Sequence, residues 1–325
     1  MLVIAIETVA YAQEPYTLTG DFWGTHDPSI AKEGKTWYVF ATGKAASGGQ
    51  IPIRCSDDLG DWRYCGQVFD AIPEWIHKDS PGTPDLWAPD ISLHDGEYRL
   101  YYAYSLFGKN TSGIALITNK TLDSRSSQYK WVDHGLVLRT TATDNYNAID
   151  PNFIRDEDGG DWLAFGSYWS GIKLRRLGPD GKLSSEDTTT YSLAAREPPQ
   201  TAVEAPFISY HEGYYYLFVS WDQCCKGAKS TYRTMVGRAR KITGPYLDKT
   251  GKDMMAGGGT EILSGNEVWR GPGGASVWTG SSAALLVFHA YDAATGKRAL
   301  QISTIQWEGG WPEVALETEH ASAPN

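Results

Sequence analysis

Positive charge is scarce in this chain. Its 325 residues carry 29 Lys and Arg against 39 Asp and Glu, a formal net charge of −10. No basic excess exists to neutralise phosphates, which argues against nucleic acid as a partner. No apolar run reaches the roughly 18 residues of a membrane-spanning helix, so no membrane partner is expected. Helical periodicity is missing too, because no segment reads as a helix of three turns. The Gly257-Gly258-Gly259 run is followed by no helix pattern, which argues against a phosphate cradle. Cysteines number only four. Cys55 and Cys65 flank a predicted hairpin and could form a disulfide. Cys224 and Cys225 are adjacent; neighbours in sequence do not make an ordinary bridge, so buried free thiols are expected. Charged residues are 21% of the chain and aromatics 13%. That balance excludes disorder and suits large packed sheets with an aromatic-lined cleft.

What the chain has in abundance is one pattern, repeated five times. A proline sits near the start of a short strand, a Gly-containing turn follows, and a second strand rich in Tyr, Trp and Phe comes next. The marker prolines are Pro28, Pro89, Pro151, Pro206 and Pro272, spaced by 61, 62, 55 and 66 residues. A period near sixty residues is too long for a helical hairpin and fits a four-stranded antiparallel sheet with its loops. Radial repetition of such sheets gives an all-β fold, a five-bladed β-propeller. Second strands are predicted over 36–41, 98–104, 162–165, 214–220 and 284–290, each after a Gly turn. The stretch 182–200 reads as a strand plus a long loop. Residues 1–20 are set aside as an N-terminal extension and 21–325 as a single catalytic propeller. Within the extension, MLVIAIETVAYAQ resembles part of a secretory signal ending at Ala10-Tyr11-Ala12, or else a plain extended terminus. The signal reading predicts an extracellular protein. Asn110-Thr111-Ser112 and Asn119-Lys120-Thr121 are glycosylation sequons, relevant in a secreted eukaryotic protein.

Each proline-bearing segment is the natural innermost strand of its blade, since the first residue of a strand need not donate to the ladder. Residues beside the prolines then meet at one rim of the central channel. Those residues are Asp27, Asp90, Asp150, Glu204 and Gly271. Taken singly, an Asp before Pro is a common turn starter. Together, carboxylates with no basic residue in the same register repel one another and push at least one pKa up. Glycoside hydrolysis needs such a set: one carboxylic acid protonates the leaving oxygen and one carboxylate activates water or attacks the sugar. Trp23, Trp87, Phe107, Tyr146, Trp169 and Trp221 fall near repeat starts or just after second strands, where aromatic faces can stack on sugar. Asn147, Ser167 and Ser170 can bond hydroxyls. Trp37, Trp162 and the tyrosines at 214–216 read instead as core.

The strings HDPSI, LWAPDI, YNAIDPN, FGSYWSGI, VEAPFI, SWDQCCKG, STYR, ITGPY and FHAYD resemble the endo-1,5-α-L-arabinanases of glycoside hydrolase family 43. The resemblance runs from about residue 21 to 312. WAPD is shared with xyloside- and arabinoside-cleaving relatives, whereas YNAIDPN, FGSYWSGI and CCKG are more specific. The resemblance implies a five-bladed propeller that cleaves arabinan or arabino-oligosaccharides with inversion. It implies Asp27 as general base, Glu204 as general acid, and Asp150 as the residue that orients substrate and keeps Glu204 protonated. It also implies substrate contacts at Asn147, Ala148, Ile149, Asp150, Ser167, Trp169 and Ser170; with Asp27, Trp87 and Phe107 these make up the expected substrate-binding residues. His26 and Asp90 share the catalytic register but take structural roles. Many arabinanases read GPGH where this chain reads GPGG. Gly274 therefore stands in the place of a metal-associated His, so no cofactor is expected and a central metal is not transferred, His289 included. The expected state is a monomer. Rival readings are an exo-acting arabinofuranosidase or β-xylosidase, a non-catalytic carbohydrate-binding propeller, and a retaining fructan-cleaving propeller.

Overall fold

The computed structural model describes residues 15–318 apart from residue 282. The signal-like stretch around Ala10-Tyr11-Ala12 lies outside them. Five antiparallel sheets follow one another along the chain, each with its first strand at one edge. Blade I consists of Ser29–Glu33, Thr36–Phe40, Gln50–Ser56 and Asp61–Phe69; blade II of Leu86–His94, Glu97–Tyr104, Gly113–Asn119 and Val132–Arg139. Blade III comprises Asn152–Arg155, Asp161–Phe165, Ile172–Arg176 and Thr190–Ala194. Blade IV runs through Val203–His211, Tyr214–Trp221, Arg233–Ala239 and Thr260–Leu263, and blade V through Trp269–Thr279, Ala284–Asp292, Arg298–Glu308 and Trp311–Glu313. The expected five-bladed propeller is thus observed, and the predicted second strands fall within two residues of the observed ones. Among the described residues the α-helical content is one short helix, Glu74–Asp79.

Both faces of each blade are covered, so alternate residues of one strand enter two different cores. In blade II, Tyr98, Leu100, Tyr102 and Tyr104 pack toward blade I with Phe40, Ile51 and Ile53. Tyr101 and Ala103 of the same strand pack toward blade III with Leu163 and Phe165. Burial on both sides explains why the second strands read as continuous apolar runs rather than as alternating ones. Trp37, assigned to the core from sequence, lies between blades I and V with Val39, Leu285 and Leu300.

The ring closes through the segment that precedes blade I. Thr19–Gly20 pairs in parallel with Asp61 and Trp62 of the outer strand of blade I. Close by, Tyr16 N–H donates to Ile302 O and Leu300 N–H to Phe22 O, both at 2.9 Å, on blade V. The chain before blade I therefore staples the first blade to the last.

Cys55 and Cys65 are bridged. Cys224 and Cys225 are also bridged, with Cα atoms 3.8 Å apart, which corrects the expectation of buried free thiols. That distance is the ordinary span of a trans peptide. The bond closes a small ring across one peptide while Asp222 and Cys225 take left-handed φ of +70° and +66°. Cys225 is exposed rather than buried. The two sequons turn inward: Asn110 and Asn119 are buried, and their side chains bond Asp144 O and the Thr121 and Lys130 N–H groups.

Candidate active site

The residue immediately before each marker proline adopts a left-handed backbone. Its φ is +45° at Asp27, +43° at Ala88, +56° at Asp150, +52° at Ala205 and +57° at Gly271. Four of these five are not glycine, and each holds a conformation that proline's predecessor ordinarily avoids. The strained residues ring the channel. Beneath them lies a cavity of about 30 Å³, room for roughly one water, lined by all five proline segments together with Asp27, Asp90, Asp150 and Gly274. Sequence-distant carboxylates are brought together here, as the repeat predicts. Asp27 and Asp150 occupy the strained position itself. Glu204 stands one residue earlier, in the strand, opposite Ser220.

The three carboxylates have different company. Asp27 Oδ2 lies 2.9 Å from His26 Nδ1 and accepts the Thr42 hydroxyl at 2.7 Å. Its own N–H donates to His289 Nδ1 at 3.2 Å. Burial raises the Asp27 pKa, but His26, by charge and hydrogen bond, together with His289 and Thr42, outweighs it and holds this carboxyl well below the usual range. Glu204 meets only hydroxyls: Ser167 Oγ donates to Oε2 at 2.5 Å and the Tyr232 phenol to Oε1. Burial pushes Glu204 up and the Asp27 charge adds to this, while the two hydroxyls oppose it. Asp150 accepts the Ala205 N–H at 3.0 Å, which ties it to the residue beside Glu204. Burial, then Glu204 and Asp27, push Asp150 well above the carboxylate range. The Asp150–Glu204 pair thus retains a proton where Asp27 has lost its own.

Asp90 shares the ring but not the cluster's chemistry. It accepts the Phe153 N–H at 2.6 Å and reaches Asn152 Nδ2 at 3.5 Å, so it joins blade II to blade III. Of the proposed sugar contacts, Trp169 and Phe107 face solvent, 41% and 82% exposed, and Trp23 is 39% exposed against Trp269. The Trp169 loop is held by Tyr168 N–H to Val203 O and Ser170 N–H to Asn145 O, both at 2.9 Å. Ser167 lies on Glu204, as described. Trp87, Tyr146 and Ile149 pack partly against the core between blades II and III. Ala148 is fully buried, and Asn147 Oδ1 accepts the Ser112 hydroxyl at 2.7 Å beneath the surface. Trp221 is covered by the guanidinium groups of Arg196 and Arg233, 4.3 and 5.7 Å from its ring.

Sequence reasoning missed Thr42, Tyr232 and Tyr291. Tyr232 and Tyr291 stand inside the STYR and FHAYD strings, and their motif membership was the available signal. Thr42 lies just past a second strand and had none. Gly274 offers no ligand atom and has φ +58°. A Cβ there would sit 2.6 Å from Asp27 Oδ1 and 2.9 Å from His289. A side chain at this position would have to displace the Asp27 carboxylate or the His289 ring.

Comparisons with known proteins add a family and relatives. The profile of Glycosyl hydrolases family 43 matches residues 23–312. The chain is 45% identical over 298 residues to an extracellular endo-α-(1→5)-L-arabinanase of Bacillus subtilis, covering 90% of this chain and 89% of that protein. It is 43% identical over 302 residues to an extracellular exo-α-(1→5)-L-arabinofuranosidase of Cellvibrio japonicus, covering 89% and 86%. It superposes on the solved family 43 endo-arabinanase of Bacillus licheniformis with a TM-score of 0.84 and 46% identity, covering 92% and 99%.

Proposed function

The chain belongs to glycosyl hydrolases family 43, and on that premise we propose that it hydrolyses α-1,5-linked L-arabinan at internal bonds, with inversion at the anomeric carbon. The observation that carries the reading is the unlike protonation of neighbouring carboxylates around one channel. Asp27 is held ionised by His26, His289 and Thr42, while burial keeps a proton on the Asp150–Glu204 pair. An inverting glycosidase requires one carboxylate ready to take a proton and one carboxylic acid ready to give one.

The steps follow from these states. Glu204 protonates the glycosidic oxygen as the bond to the anomeric carbon breaks. Asp27 takes a proton from a water molecule, which attacks that carbon from the opposite face. Asp150 orients the sugar and keeps the Glu204 proton in place by repulsion. Ser167 and Tyr232 fix the Glu204 carboxyl, so that the proton points one way. Acid, base and water suffice, so no cofactor enters a step. The exposed rings of Trp169, Phe107 and Trp23 offer stacking faces open to solvent, which suits a chain passing across the site rather than ending in it. The catalytic unit is a single propeller that includes the stapling segment at Thr19–Gly20, working as a monomer outside the cell. The word extracellular in both relatives' names supports that location. Among the described residues, no helix is long and apolar enough to cross a membrane.

The test is incubation with debranched arabinan while product length and anomeric form are followed. The endo reading requires early oligosaccharides, and inversion requires a product of opposite anomeric configuration. The exo reading has its own support in the Cellvibrio relative, nearly as similar as the Bacillus one. Early arabinose without longer products would establish it instead.

A further inference from the structure

The hydrogen bonds that hold Asp27 lead away from the channel to the Cys224–Cys225 disulfide. His26 Nδ1 is 2.9 Å from Asp27 Oδ2, and His26 Nε2 is 3.0 Å from the Tyr291 hydroxyl. The Cys225 backbone N–H donates to that same hydroxyl oxygen at 3.1 Å. An ionised Asp27 only accepts, so Nδ1 carries the hydrogen. Wherever the ring is neutral Nε2 then accepts, and the Tyr291 O–H donates to it. The Tyr291 oxygen accepts from Cys225 and also bonds the Ser230 side chain. Every donor finds one acceptor, and the chain reads in one direction, from Cys225 to Asp27.

The first donor of this chain is set by the disulfide. Cys225 holds φ +66°, a region that L-residues rarely enter, and the ring closed with Cys224 is what ties it there. Cys225 Sγ also packs 3.8 Å from His26 Nε2. His26 and Tyr291 are buried, 7% and 4% exposed, whereas Cys225 is exposed and within reach of a dissolved reductant.

We propose that the Cys224–Cys225 disulfide is a positioning device for the general base, selecting through Tyr291 the His26 tautomer that donates to Asp27. The proposal rests on Asp27 being that base. With the ring open, Cys225 is free to leave its left-handed conformation and withdraw its N–H. Tyr291 can then turn and accept from Nε2–H, and His26 presents a bare Nδ1 to the carboxylate. Asp27 loses a donor and binds its proton more tightly. The other groups facing Asp27, namely Thr42, His289, Asp150, Glu204 and Tyr232, are not altered by the opening.

The experiment uses the whole protein with linear arabinan. A water-soluble trialkylphosphine cleaves the sulfur–sulfur bond to two thiols and leaves as its oxide, with oxygen from water. Reduced protein, Cys224→Ser/Cys225→Ser and Tyr291→Phe are compared with the parent, and Cys55→Ser/Cys65→Ser controls for the other bridge. The expected result is a kcat lower by about tenfold with KM within about twofold. The acidic limb of kcat/KM should rise by about half a pH unit or more, in all three altered forms and not in the control. Reduction at Cys224 and Cys225, verified by alkylation and mass, with kcat and the acidic limb unchanged would overturn the proposal. So would a loss of activity with an unmoved acidic limb in the melting-stable Tyr291→Phe variant. Asp27→Ala tests the underlying reading separately. If that variant stays active, the base assignment fails. If it is inactive while the reduced enzyme matches the parent, the positioning role alone fails.

Discussion

Asp90 provides the sharpest test of how the ring of prolines is built. It sits in the proline register but is 4% exposed, and its bonds go to Phe153, Asn152 and Ser29, none of them a cation. Burial outweighs its bonds to Phe153, Asn152 and Ser29 and raises its pKa from 3.8 to about 7. Its structural place explains why it is tolerated. Ser29, Asp90 and Asn152 each directly follow a marker proline, and each accepts a backbone N–H from the next blade. Ile91 donates to Ser29 Oγ at 3.0 Å, Phe153 to Asp90 at 2.6 Å, and Ile208 to Asn152 Oδ1 at 2.8 Å. Two of these three clamps are neutral, so the charge on the third is dispensable. Asp90→Asn keeps an acceptor for Phe153. Asn152 Nδ2 is not stranded, because it also reaches Phe153 O at 3.3 Å.

The sign follows from linkage. The unfolded carboxyl ionises near its ordinary value and the folded one near 7, so the folded chain holds an extra proton between those values. That stabilisation is complete below about pH 4 and is lost as pH climbs through 7. The gap corresponds to ~4 kcal/mol at most. Urea unfolding of parent and Asp90→Asn at pH 4, 6 and 8 should therefore coincide at pH 4 and separate upward, with the variant the more stable at pH 8. Arabinan hydrolysis should persist in the variant. Parallel stability curves from pH 4 to 8, or a variant less stable at pH 8, would show that burial of this charge is not what sets the stability of the clamp.

The remaining expectations concern the channel. Asp27→Ala and Glu204→Ala should each reduce kcat by about 10²–10⁴-fold, with oligosaccharide binding retained in calorimetry; turnover within tenfold of the parent removes the assigned role. Tyr232→Phe deletes a bond that lowers the Glu204 pKa, so the basic limb of the kcat profile should move upward; a downward move contradicts the arrangement. Asp150→Asn removes the carboxyl that is coupled to Glu204 and shares a proton with it, so the same limb should move downward, and an unmoved limb ends the pKa-tuning role. Gly274→Ala introduces a Cβ against Asp27 and His289 at a left-handed backbone. Activity should fall well beyond what the loss in melting temperature explains, and a fully active variant would mean that the Asp27 carboxylate has room to move.

The blades were legible because the chain writes each one out in sequence, with its proline, its Gly turn and its aromatic second strand. The convergence of Asp27, Asp150 and Glu204 followed from placing those prolines at one rim. The contacts that only closure creates were not legible. Nothing in the order of residues ties Tyr291 to His26 265 positions earlier, or Leu300 to Phe22 across the seam. Asn110 and Asn119 match a surface motif but spend their side chains on backbone groups, at Asp144 for the first and at Thr121 and Lys130 for the second. Cys224 and Cys225 were misread because the ordinary geometry of a disulfide excludes neighbours unless the backbone turns left-handed, as it does at Asp222 and Cys225.

The left-handed turn before each proline also explains how one repeat places its carboxylates in unlike surroundings. In blades I and III the carboxylate is itself the strained residue, Asp27 or Asp150. In blade IV Ala205 takes the strained position and the carboxylate moves back one residue, to Glu204. A one-residue step in a strand reverses the direction of a side chain. Glu204 therefore faces the hydroxyls of Ser167 and Tyr232, while Asp27 faces His26 and Thr42 and its backbone N–H binds His289. Burial raises all three carboxyls; His26 reaches both Asp27 and Glu204, but only at Asp27 do imidazoles and a hydroxyl together reverse the effect. The division of labour thus lies in the neighbours that each blade supplies. It follows that His26 should matter to the pH profile more than any aromatic at the mouth, although it need not touch the sugar.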